Sequence, residues 1–107
     1  MSLKAGVKLT GLHPELLVAW IEARAVWQKF GVEDAVMTSC RDGVHMRASK
    51  HFLGLAFDLR CKGMENVEEA VRQLKKRCGL DFDIIHESAG LDNEHVHVEY
   101  DPKGEPV

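Results

Sequence analysis

The sequence predicts an α+β fold: a small single domain with a mainly antiparallel sheet, helices on one face and a polar, chemically loaded opposite face. Three observations predict it. Two stretches repeat apolar residues at helical steps, four short runs lean towards β-structure, and the two kinds of element do not alternate regularly enough for a doubly wound sheet.

The first helix is read from Leu16, Trp20, Ala23, Trp27 and Phe30, which recur at three- and four-residue steps between Pro14, at a first-turn position, and Gly31 at the far end. Both tryptophans are expected in the core. The four strand runs are Ala35 to Ser39, Leu55 to Arg60, Phe82 to His86 and His95 to Tyr100. Between the second and third, Val67, Ala70, Val71, Leu74 and Cys78 mark a second helix. It carries Asn66 as N-cap, Glu68 and Glu69 in its first turn, Lys75 to Arg77 in its last, and Gly79 as its stop. That charge order suits the helix dipole. Gly90 to Asn93 reads as a turn, and the end of the chain, residues 100–107, as a tail with two prolines and a glycine. Residues 1–107 are read as one domain, with no repeat, linker or low-complexity segment.

Strand alternation separates two faces. Leu55, Phe57 and Leu59 oppose Ala56, Asp58 and Arg60, while Val96, Val98 and Tyr100 oppose His95, His97 and Glu99. One set is core. The other holds most of the candidate chemistry.

With 107 residues the chain can bury a core without a metal or disulfides. A net charge of -3 and a pI near 6.0 argue against nucleic acid as a partner, because no Lys/Arg excess collects on a face. Cys40, Cys61 and Cys78 form no close-spaced thiolate pair and are odd in number, which fits reduced thiols in a cytoplasm. No run approaches the length of a signal peptide core or the roughly 18 apolar residues of a membrane span, so no membrane insertion is expected.

The run Ser49-Lys50-His51-Phe52-Leu53-Gly54-Leu55-Ala56-Phe57-Asp58, answered further along by Glu94-His95-Val96-His97, reads as a split metal site. Imidazole nitrogen and carboxylate oxygen suit zinc, and three protein ligands leave a fourth position open, as catalytic zinc requires. His51 and Asp58 are an odd number of residues apart and would face opposite ways in one regular strand. A bend or bulge at Gly54 would bring them together, with Ala56 keeping bulk away.

These segments resemble the LAS group of zinc peptidases: D-alanyl-D-alanine carboxypeptidases, D-Ala-D-Ala dipeptidases, phage L-alanyl-D-glutamate endolysins, and the hedgehog signalling domain that shares their fold. That group carries Ser-x-His-x-x-Gly-x-Ala-x-Asp, matched here by Ser49, His51, Gly54, Ala56 and Asp58, followed by His-x-His or Glu-x-x-His. The resemblance implies a hedgehog/DD-peptidase-like fold with zinc on the face away from the helices. It also makes the second histidine of His-x-His the third ligand, giving His51, Asp58 and His97. His95 then becomes a hydrogen-bond donor to the developing oxyanion.

A peptidase of this kind needs a general base for the attacking water. Glu94, three before His97, matches Glu-x-x-His of the dipeptidase branch and is the expected base. The alternative is Glu87, which in His86-Glu87-Ser88 is similar to the glutamate and serine preceding His-x-His in the hedgehog branch. Upstream, Thr38 to His45 resembles the segment in which the group places an arginine on substrate or transition-state charge, and this role falls to Arg41. The group more often has Gly-Tyr-Arg there, where this chain has Ser39-Cys40-Arg41. His13 has no partner motif and reads as a cap-region residue.

The resemblance thus implies a zinc-dependent peptidase acting on peptidoglycan stem peptides, of the D-Ala-D-Ala carboxypeptidase or L-Ala-D-Glu endopeptidase type. Made in the cytoplasm without a signal, it would suit a phage or prophage lysis enzyme released by a holin, or a component of a phage particle. The rival expectation is a hedgehog-like zinc module that binds without turnover.

Overall fold

Apolar residues at helical and alternating spacing fold into seven elements in the computed structural model, which describes residues 1–9, 11–40 and 55–103. In chain order these are β1 (Ser2–Leu3), α1 (Pro14–Lys29), β2 (Val36–Ser39), β3 (Ala56–Arg60), α2 (Val67–Cys78), β4 (Phe82–Glu87) and β5 (His95–Tyr100). The strands form one sheet in the order β1-β2-β3-β5-β4. Every pairing is antiparallel except β1 with β2, which is parallel. Each of the four expected strands lies within one residue of its expected bounds. The sequence carried no signal for β1, whose two residues are too few to show a period. It is held from outside by Lys4 N–H donating to Met37 O (2.9 Å) and by the amino terminus against Asp34 (2.7 Å).

Helix α1 starts at Pro14, where a missing N–H costs nothing, and passes at Phe30 into Gly31, whose φ of +88° favours glycine. Helix α2 is capped as its sequence predicts, with Glu69 N–H donating to Asn66 Oδ1 at 3.1 Å. Its last turn closes when Gly79 N–H donates to Lys75 O at 3.0 Å.

Both helices lie on one face of the sheet. Leu16, Trp20, Val26 and Trp27 of α1 and Ala70, Val71 and Leu74 of α2 share a core with Met37, Phe57, Leu59, Ile84, Val96 and Val98. The two tryptophans are buried as expected, and each indole N–H finds a carbonyl: Trp20 donates to Ala35 O and Trp27 to Arg60 O, both at 2.8 Å. Trp27→Ala removes a fully buried ring and leaves the Arg60 carbonyl without that donor. It is expected to cost about 3–5 kcal/mol, a large part of the stability of a domain this size. Urea unfolding measures this; a loss under 1 kcal/mol would show that the site collapses around the smaller side chain.

Tyr100 belongs to β5 and packs on Phe82, with ring centroids 5.2 Å apart, so the strand takes in the first residue of the expected tail. The chain beyond it stays docked through Asp101 N–H to Asp81 O (2.7 Å) and Lys103 N–H to Asp81 Oδ1 (2.9 Å). The radius of gyration, 13.2 Å, matches the roughly 13 Å of a compact domain of this length. Among the described residues no helix is long and apolar enough to cross a membrane.

Candidate functional site

The face away from the helices is set by register. Asp58 of β3 pairs with His97 of β5, Arg60 with His95, and His95 in turn with Glu87 of β4. Because directly opposed residues project to the same side, Asp58, His95, His97 and Glu87 converge there. Beside them β2 shifts its register between Met37 and Ser39, so Asp58 pairs with Ser39, and Thr38 Oγ1 donates to Asp58 O at 3.4 Å. Such irregularities re-aim strands near functional sites.

The distances are short. His97 Nδ1 lies 3.0 Å from Asp58 Oδ1 and 3.8 Å from Glu87 Oε1. His95 Nε2 lies 3.3 Å from Glu87 Oε1 and 3.8 Å from Asp58 Oδ1. Ligands of one tetrahedral zinc, each about 2.0–2.1 Å from the ion, stand about 3.3–3.4 Å apart. The observed spacings bracket that value, and one oxygen each of Asp58 and Glu87 serves both rings. The donor chemistry fits a divalent cation.

Each ring is oriented from behind. His97 Nε2 faces Glu99 Oε1 at 3.1 Å, leaving Nδ1 for the site. His95 donates from Nδ1 to Asn93 O at 2.7 Å, since a carbonyl only accepts, and so presents Nε2. A carboxylate or carbonyl behind a metal-binding imidazole is the usual way of fixing its tautomer. Sequence reasoning passed over Glu99 in this role, although its position two residues after His97 on the same face was legible.

Burial alone would push the His97 imidazolium towards neutrality, but hydrogen bonds to Asp58 and Glu99, aided by the Asp58 and Glu87 charges, outweigh it and raise its pKa to about 9. Because the folded pKa lies above the ordinary 6.5, the stabilisation is fully present below about pH 6.5 and is lost as pH rises through about 9. Metal-free protein is therefore expected to lose up to about 3 kcal/mol of stability across that window. Urea titrations at several pH values check it, and His97→Gln should flatten the slope.

Glu94 stands at the rim of this face, where it lines a groove together with Asp58 and His95. It precedes β5, in the turn closed by Leu91 N–H to Ser88 O and Glu94 N–H to Leu91 O. Its carboxylate takes His86 Nε2 at 2.6 Å and Gly90 N–H at 3.3 Å. His86 pairs with Val96, on the core side of the hairpin. The hydrogen bond with His86, then that from Gly90, holds the Glu94 carboxyl below the usual range. A carboxylate already engaged in this way is a poor proton acceptor. Glu87, the alternative base, is the glutamate that the register brings to the histidine pair.

His51 and Arg41, with Ser49, Gly54 and His45, lie outside the described residues. A groove of about 380 Å³ opens at Asp58 and His95, and the cations Lys4, Arg60 and Lys62 line it together with the acids Asp92 and Glu94. These cations were not singled out from the sequence, although Arg60 shares the parity of Asp58. No family model matches the chain, and neither a curated protein nor a solved structure matches it.

Proposed function

We propose that the chain is a zinc peptidase that hydrolyses a peptide bond in peptidoglycan stems. The observation that carries the reading is the convergence of Asp58, His95, His97 and Glu87 on the sheet face opposite the helices, with both rings oriented from behind. Ser49, His51, Gly54, Ala56 and Asp58 support it from sequence. His51, Asp58 and His97 would hold the metal, and the surplus of carboxylate around the pair favours a cation there. Bound there, zinc would act as a Lewis acid on the scissile carbonyl and the attacking water.

In this reading Glu87 takes the proton of the attacking water and passes it to the leaving amine. His95, with Nδ1–H held by Asn93 O, would donate from Nε2 to the oxygen that gains charge once the ring is protonated to the imidazolium. Arg60 and Lys62, with Arg41 implied by resemblance, hold a stem-peptide carboxylate in the adjoining groove.

Purified peptidoglycan digested with zinc-loaded protein should yield new amino or carboxyl termini, identified by mass spectrometry, and a chelator should abolish them. Zinc-loaded protein that leaves every wall fragment intact would overturn the enzyme and support a zinc-binding interaction module instead.

A further inference from the structure

A second cluster of metal-binding side chains lies where β3 ends and β5 begins, beside β4. His86 of β4 pairs with the core residue Val96, Cys61 follows the end of β3 and is buried, and Glu94 in the turn before β5 reaches His86 at 2.6 Å. Cys61 Sγ, one His86 ring nitrogen and one Glu94 oxygen all lie within 4.8 Å of one another.

We propose that Cys61, His86 and Glu94 form a distinct site for a borderline-soft divalent metal of the zinc class. Thiolate, imidazole and carboxylate together suit zinc better than magnesium or calcium, which take oxygen ligands. In a tetrahedral site the nitrogen and oxygen would stand about 3.3 Å apart and the sulfur about 3.6 Å from either. His86 and Glu94, now hydrogen-bonded at 2.6 Å, need to separate by about 0.7 Å, an adjustment within reach of a side-chain rotation of Glu94 in its turn.

The site is prepared in two respects. Gly90 N–H holds the other Glu94 oxygen at 3.3 Å, fixing the carboxylate plane. A groove of about 360 Å³ reaches Cys61 and Glu94 between Met64, Val67 and Leu91, giving an ion a way in and leaving a coordination position for water or a small ligand. Cys61 is buried, and burial together with the Glu94 charge raises its thiol pKa to about 11. The thiol is therefore protonated when metal is absent. Binding forms the metal–sulfur bond and releases that proton to solvent. A metal here would tie the end of β3 to β4 and to the turn before β5, in the hairpin that carries Glu87 and His95.

The test is cobalt(II) and zinc binding to the whole chain. Cobalt-loaded protein should show thiolate-to-metal charge transfer in the near ultraviolet, and X-ray absorption of zinc-loaded protein should show a sulfur neighbour at about 2.3 Å. Both signals should vanish in Cys61→Ala, survive in Cys78→Ser, and survive in Asp58→Ala, which separates this site from the one proposed for catalysis. His86→Gln should lose the same equivalent of metal. Wild-type protein with no sulfur–metal signal, or a signal that persists without Cys61, would overturn the site whatever becomes of the peptidase reading.

Discussion

Glu87→Gln is expected to lower peptidase turnover by about two to four orders of magnitude while zinc at the Asp58 site stays bound. The amide keeps the size of the side chain but cannot accept a proton. Its carboxylate oxygen lies 3.3 Å from His95 and 3.8 Å from His97, where a reacting water would be shared. Glu94→Gln should stay within about tenfold of wild type, because its carboxylate is committed to His86 and Gly90. Steady-state kinetics of both variants on the best wall fragment, with zinc content measured in parallel, decide the matter. If Glu94→Gln proves the inactive one, the Glu-x-x-His correspondence is the right one and the hairpin must rearrange around substrate.

Asp58→Ala is expected to lower zinc affinity at that site by more than a hundredfold and to abolish turnover with it. Disturbing a group behind a ligand already costs about 10–100-fold, and Asp58 stands in front, on both rings at once. Glu99→Gln, which alters only the group behind His97, should fall in the lower range. Competition with a chromophoric chelator measures each affinity. His97→Ala should behave like Asp58→Ala, and His95→Ala should keep most of the zinc. Were His95→Ala to lose zinc and His97→Ala to keep it, the ligands would be Asp58, Glu87 and His95 instead. Undiminished affinity in Asp58→Ala would remove the site altogether.

The helices and strands were legible because their signals are local. Pro14, Asn66 and Gly79 mark ends through backbone chemistry that acts within a few residues, and the apolar steps of α1 and α2 need no partner to be read. That Asp58 shares a face with Arg60, and His95 with His97, follows from the period of a strand. The ring partners were less visible. Glu99 was placed on the correct face, but Asn93 acts through its carbonyl, which every residue has, so no side-chain pattern could single it out.

Sequence alone determined the order of the elements from α1 onward and which residues of β3 and β5 share a face. Only the tertiary structure decided that Asp58 stands opposite His97 and that Glu87 stands opposite His95 on their face. The physical reason is register. Strand pairing is a contact between distant segments, and shifting it by one residue would exchange Glu87 for His86. The turn from Ser88, with φ of +57°, through Gly90 at +79° fixes that register in β4 and β5. It sends Glu87 and His95 to one side and His86 to the other, a partition that no spacing within either motif contains.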